Sequence, residues 1–267
     1  MMTTLTTQQV KIIMKNRSKL LAISSKLIKK SSSALLFFVS ATTLSLNVSA
    51  NNSTATVHKA YVYTELQISV PFEKAPWQRI NKVIKNQPGF INKTWLSGLG
   101  NQSAGGFYTF DSIENAQKFV TNYFPSEAKE LGVALTTRVF DALATEAASR
   151  EMNSIHYGGK LAKAPEAFVY TEVQAHAIPF NVVVPWMKRN PDLKSQPGFL
   201  AKTWLSGIHT GTVGGLYAFD TIENAKKFTL EYFPAIAKNM NKAFYTRIFD
   251  ARKTEAASRD MYSPFYN

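Results

Sequence analysis

The chain says nearly everything twice, and this repetition limits its fold more than any other feature. Pro88–Gly98 reads PGFINKTWLSG and Pro197–Gly207 reads PGFLAKTWLSG, 109 residues apart. At the same spacing Gly105-Gly106 returns as Gly214-Gly215, and Phe110-Asp111 as Phe219-Asp220. Ile113–Ala116 returns as Ile222–Ala225, Tyr123-Phe124-Pro125 as Tyr232-Phe233-Pro234, and Arg138 as Arg247. The hexapeptide TEAASR stands at 145–150 and again at 254–259. Tyr63-Thr64-Glu65 matches Tyr170-Thr171-Glu172 at a spacing of 107, so the second copy gained two residues in between. A period this long marks duplicated domains, not a solenoid of short stacked units. The copies span 58–152 and 166–262, joined by a linker over 153–165 that holds Gly158-Gly159.

Within each copy strand and helix patterns alternate. Residues 60–70 alternate as a strand, and 75–86 place Trp77, Ile80, Val83 and Ile84 at helical spacing. Residues 89–99 and 105–110 read as strands around a Gly/Asn/Ser turn. Asp111 reads as an N-cap with Glu114 as its reciprocal acid, ahead of the stripe Ile113, Ala116, Phe119, Val120, Tyr123. Pro125 should stop or kink that helix, Gly132 can cap the segment beyond it, and 135–142 close as a strand. The order β-α-β-β-α-β is ferredoxin-like, an α+β arrangement with both helices on one face of an antiparallel sheet. Such a sheet leaves one face bare. Two tandem domains can pack sheet to sheet, giving an intramolecular dimeric α/β barrel that needs no second chain and suits a monomer.

Ahead of the repeats lies an address. Residues 1–33 carry seven basic and no acidic residues; an apolar run over 34–46 follows, then Val48-Ser49-Ala50. These are the parts of a secretory signal peptide cleaved after Ala50, with Met14 as an alternative start. The apolar run is shorter than the ~20 residues of a spanning helix, so no stable membrane anchor is expected after cleavage. The expected place is secreted or periplasmic. Removing 1–50 takes away seven of the 31 basic residues and lowers the net charge from +13 to +6. The remaining charges alternate in sign, so nucleic acid is not an expected partner.

The repeated residues carry a resemblance. Pro-Gly-Phe, Lys93-x-Trp95, Gly105-Gly106, Phe110 and Phe140-Asp141, with Lys202, Trp204, Gly214-Gly215, Phe219 and Phe249-Asp250, resemble the YdhR-type mono-oxygenase family. Those are small homodimeric ferredoxin-like proteins, related in fold to the antibiotic-biosynthesis mono-oxygenases. The leader and the fusion of two copies depart from that pattern. The resemblance implies a mono-oxygenase that oxidises small aromatic, polyphenolic or quinol-like substrates with O₂ and no cofactor, the deprotonated substrate supplying the electrons.

Few side chains offer other chemistry. His58, His156, His176 and His209 occupy no matched positions and have no ligand spacing, so no metal site is read. Ser97/Ser206 and Ser149/Ser258 repeat without a repeated histidine to act as base. The glycine pairs precede strand, not helix, and make no dinucleotide fingerprint. Absence of cysteine removes thiolate chemistry. Repetition instead singles out candidates for catalysis: Trp95/Trp204 as an apolar wall, Tyr108/Tyr217 as a donor, Glu65/Glu172 as an acid or base, and Arg138/Arg247 as a stabiliser of an oxyanion. Lys93/Lys202, Tyr63/Tyr170 and Gln67/Gln174 are candidates for binding substrate. Each has a plainer reading. The indoles would fill the barrel core with the lysines reaching its rim, Glu65/Glu172 would face solvent at an edge, and the arginines would bridge to a neighbouring strand. A non-catalytic protein that binds a small aromatic or lipid-like ligand in the same clefts is the alternative function.

Overall fold

Alternation over the first strand becomes β1 (Ala60–Leu66), followed by α1 (Trp77–Lys85), β2 (Phe90–Ser97) and β3 (Ala104–Phe110). Next come α2 (Ile113–Lys118), α3 (Phe124–Leu131) and β4 (Leu135–Asp141). After α4 (Glu146–Glu151) the second copy repeats the order as β5 (Ala167–Gln174), α5 (Trp186–Lys194), β6 (Phe199–Ser206) and β7 (Thr212–Phe219). It continues as α6 (Ile222–Lys227), α7 (Phe233–Asn239), β8 (Phe244–Asp250) and α8 (Glu255–Asp260). This computed structural model describes residues 59–68, 70–175, 180 and 184–266. The leader read over 1–50, together with His58 and His176, lies outside the described residues. Among the described residues no helix is long and apolar enough to cross a membrane.

Each copy forms one antiparallel sheet, ordered β2-β3-β1-β4 and β6-β7-β5-β8. This is the ferredoxin-like order the repeat predicts. The strand period of two sends Tyr61, Tyr63 and Glu65 to one face and Val62, Thr64 and Leu66 to the other. The first face packs against its counterpart: Tyr61, Tyr63, Phe107 and Phe140 share a core with Phe168, Tyr170, Leu216 and Phe249. At its middle the Tyr63 and Tyr170 rings stack 4.0 Å apart and 2° from parallel. The sheets also join at their edges. Leu99 N donates to Ile248 O and Ile208 N to Val139 O, each at 2.9 Å, closing eight strands into a barrel.

The helix boundaries differ from the sequence reading in two respects. Ser112, not Asp111, is the N-cap of α2, its Oγ accepting from Asn115 N at 3.2 Å. Asp111 instead accepts from the Asn115 side chain, and Glu114 pairs with Lys118 one turn on. Pro125 ends nothing. A π-helical turn over Phe119–Tyr123 carries α2 into α3, placing Pro125 in the first turn, where its missing N–H is not needed. The second copy does the same at Phe228–Tyr232.

The identical TEAASR segments find their reason in a reciprocal exchange. Each sits on the other copy's edge strand. Ser258 Oγ accepts from Trp95 N at 2.9 Å while Thr254 Oγ1 donates to Trp95 O at 3.0 Å. Ser149 Oγ accepts from Trp204 N at 2.9 Å, and the Met261 and Met152 carbonyls receive Lys93 N and Lys202 N. Ser258→Ala or Ser149→Ala would leave a buried N–H unpaired. Each change is expected to destabilise the fold by about 1–3 kcal/mol, read from urea unfolding midpoints.

Where the second copy has Phe265 in the barrel core, the first has His156. Its Nδ1 lies 2.8 Å from Thr203 Oγ1, while Nε2 is shut from water without a partner. Burial, helped by the charge of Lys59, lowers its pKa to about 3. Protons then favour the unfolded chain, so stability falls as pH drops from 6.5 towards 3 and is unaffected above 6.5. His156→Phe is expected to move the acid-unfolding midpoint to lower pH, followed by circular dichroism.

Candidate functional site

The sequence candidates divide between two layers. Lys93, Trp95 and Tyr108 lie between sheet and helices, with Phe72, Ile84, Phe110 and Phe119 around the rings. Lys202, Trp204 and Tyr217 occupy the same layer of the second copy. Glu65, Tyr63 and Arg138, with Glu172, Tyr170 and Arg247, instead lie on the inter-sheet side. A single cleft holding Trp95, Tyr108, Glu65 and Arg138 is therefore not formed, because β-strand parity puts the indole and the carboxylate on opposite faces. The tryptophans do not fill the barrel interior either. Gln67 and Gln174 are exposed, and Gln174 Nε2 donates to Gly211 O at 3.2 Å.

Between the sheets the charges are consumed by pairing across copies. Glu65 is 1% exposed and so does not face solvent as a lone strand-edge acid would. Its carboxylate takes Arg247 Nη2 at 2.8 Å, Tyr63 OH at 2.8 Å and Tyr245 OH at 3.2 Å. Burial pushes the carboxyl up, but hydrogen bonds from Ser103, Tyr63 and Arg247 and the guanidinium charge outweigh it, and its pKa is lowered. Glu172 mirrors this, receiving Arg138 Nε at 3.0 Å and Tyr170 OH at 2.8 Å. The arginines bridge to the other copy's strand, not to a neighbour in their own sheet. Their fork geometry is spent on these carboxylates.

The helix-side layer is built around a lysine. Lys93 faces Tyr108 across the sheet and Trp95 faces Gly106, so the lysine stem runs over a residue without a side chain. A Cβ at Gly106 would stand 2.5 Å from Lys93 Cε; one at Gly105 would strike the Thr64 carbonyl. Gly215 and Gly214 make the same allowances for Lys202 and Thr171 O. That is why both copies spell Gly-Gly-x-Tyr opposite Lys-x-Trp. Both lysines are 1% exposed. Lys93 Nζ lies 2.8 Å from the Trp95 ring centroid and Lys202 Nζ 2.6 Å from that of Trp204. Each indole is anchored in turn, Trp95 Nε1 to Asn81 Oδ1 at 2.8 Å and Trp204 Nε1 to Asn190 Oδ1 at 2.9 Å. Burial pushes both amines well below the ordinary lysine pKa. The phenols of Tyr108 and Tyr217 are raised by the same burial and stay protonated donors.

In the second copy this layer holds a cavity of about 180 Å³. Trp204, Tyr217, Val184, Leu193 and Phe233 form its apolar walls, and Thr171 contributes a hydroxyl. Among the described residues four buried side-chain atoms have no hydrogen-bond partner. Two belong here: Lys202 Nζ against the two rings that shape it, and Thr171 Oγ1 on the wall, whose polar neighbour is the Tyr217 hydroxyl. Buried polar groups are nearly always paired, so two orphans beside one cavity mark a place for a polar ligand atom. Among the described residues no three His, Asp or Glu stand together to hold a metal ion.

Residues 64–152 match the family described as putative mono-oxygenase ydhR. That match covers most of the first copy. A search of curated proteins finds no match. Among solved structures, an anthrone oxidase-like protein is 13% identical at a TM-score of 0.53, covering 72% of this chain and 91% of that one. One copy is little more than a third of the chain, so that alignment spans both. A putative monooxygenase from Lactobacillus acidophilus NCFM is 8% identical, covering 72% and 93%, at a TM-score of 0.43. A ferredoxin fold protein related to antibiotic biosynthesis monooxygenases, from Listeria monocytogenes, is 10% identical, covering 73% and 96%, at 0.40.

The two repeats differ around the lysine. Glu127 raises the pKa of Lys93 against the burial that lowers it, whereas burial alone acts on Lys202. The residue 109 places after Glu127 is Ile236, which lines the cavity. These lining positions escaped the sequence reading, which weighed what the copies share. The signal was present in what they do not.

Proposed function

We propose that the helix-side cavity of the second repeat is a mono-oxygenase site for a one- or two-ring phenol or quinol. The observation that carries this reading is the pair of orphaned polar atoms, Thr171 Oγ1 and Lys202 Nζ, beside an apolar cavity of about 180 Å³. A dry cavity of roughly 150 Å³ accepts a benzene ring, which sets the scale of the guest. The ydhR-type family and the likeness to an anthrone oxidase-like protein support the reaction class.

Burial lowers the pKa of the Lys202 amine, and an amine with a lowered pKa can serve as a general base. Asn190 holds the indole, so the flexible lysine stem brings Nζ to the guest, not the ring. Lys202 takes the phenolic proton, and Thr171 and Tyr217 donate to the oxygen left behind. The phenolate is electron-rich at its para carbon, where O₂ adds, and Lys202 returns its proton to the peroxide to give a hydroperoxide. Loss of water leaves the quinone, so 1-naphthol and O₂ give 1,4-naphthoquinone and water. One oxygen atom enters the product and the other leaves as water. Trp204 and Phe233 exclude bulk water from this exchange.

Oxygen-electrode traces with 1-naphthol test the reading, with ¹⁸O₂ to follow the label. One labelled oxygen in the quinone supports it. Binding of the phenol without oxygen uptake would leave a ligand-binding protein using the same cavity. The leader over 1–50 adds a second part to the proposal, that this chemistry takes place in the periplasm or outside the cell. A mature protein beginning at residue 51 is the expected result of N-terminal sequencing, and retention of residues 1–50 in the cytoplasm would overturn it.

A further inference from the structure

Three positions around the cavity have changed character between the repeats. Arg189 and Lys242 line it in the second copy, where the first has Ile80 and Val133, and Ile236 replaces Glu127. Every one of these changes adds positive or removes negative charge at the same mouth. From this we infer that the second repeat selects an aromatic acid: the ring enters the apolar walls and the carboxylate is met at the mouth by Arg189 and Lys242. This deepens the function proposed above, since it names the substrate class of the same cavity.

Two chemically different ends support the assignment. At the inner end sit Thr171 Oγ1 and Lys202 Nζ, buried and unpaired, suited to a hydroxyl or its anion. At the outer end Arg189 is half-buried and, among the described residues, makes no ion pair. Asp192 is the nearest acid along the same helix, three residues on. The walls between are Val184, Leu193, Trp204 and Phe233. A ring with oxygen at one end and carboxylate at the other matches both ends at once. Arginine's planar fork suits a carboxylate, and a partly water-shielded ion pair is stronger than one on open surface. The first repeat offers Ile80, Val133 and an acid at Glu127, which would repel the same guest.

Calorimetric titration of the full chain with 1-naphthol and with 5-hydroxy-2-naphthoate, which carries its carboxylate at the far end of the ring system from the hydroxyl, tests this directly. The acid is expected to bind about tenfold tighter, a difference that shrinks with added salt. Arg189→Ile and Lys242→Val, which install the first repeat's residues, should remove the preference and leave 1-naphthol binding intact, showing that the variants are folded. Equal affinity for the two ligands in the wild-type chain would overturn the inference. So would a preference for the acid that survives both substitutions. Failure of either ligand to consume O₂, with the preference intact, would instead sink the oxidation reading alone.

Discussion

Lys202→Met should lose most of the oxidation while making the protein harder to melt. A general base contributes about 10²–10⁴ to a rate, and Tyr217, the other titratable group at the phenolic end, is held protonated by burial and cannot replace it, so kcat with 1-naphthol should fall by that order. Methionine matches the stem of lysine and fills irregular apolar space, so the indole and Tyr217 keep their places. Stability moves the other way. The amine has no hydrogen-bond partner, and removing a buried unpaired polar group while keeping its volume relieves strain. Each kcal/mol gained raises Tm by roughly 2–4 °C in a protein of this size. The sign with pH follows from the lowered pKa. Between that pKa and 10.5 the unfolded lysine holds a proton the folded one has lost, so wild-type stability climbs with pH across this window. In Lys202→Met that slope is reduced to what Lys93 contributes. Activity should likewise fall in acid, as the amine gains its proton. A variant that keeps full kcat would remove Lys202 from the mechanism.

The second large effect is structural. Glu65→Leu strips the acceptor from Arg247, Tyr63 and Tyr245 together. Breaking a buried ion pair by removing one partner costs about 3–5 kcal/mol, and the lower end applies because the Arg247 side chain is 27% exposed. Guanidinium unfolding measures the loss. Glu65→Leu combined with Arg247→Leu should recover much of it, since no stranded charge remains. Because the carboxyl's pKa is depressed, its contribution is complete above about pH 4.5 and fades as pH falls through the lowered value. A single variant as stable as wild type would show that water, not Glu65, carries the arginine.

These effects separate the features legible in the residues from those that were hidden. The duplication, the β-α-β-β-α-β order and sheet-to-sheet pairing follow from apolar periodicity and identity between copies, and the structure has all three. Pattern also places Lys93 with Trp95 on one face. It does not say which face, because both sides of these sheets are covered: Val62 under helices and Tyr63 under another sheet are equally apolar. Parity within a strand is legible; its absolute sense is a tertiary property. The TEAASR identity stood out as repetition, but its partners, Trp95 N and Trp204 N, are far away in sequence. Arg189 and Lys242 were overlooked for a different reason. Agreement between copies reports shared architecture, whereas a specific guest writes itself in disagreement.

The seams at Leu99–Ile248 and Ile208–Val139 have a kinetic consequence. Proteins that build such a ring from two chains must meet by diffusion, and fall apart when scarce. Here the companion is always within reach, so closure is a first-order event whose yield does not depend on concentration. The molecule stays whole at any dilution.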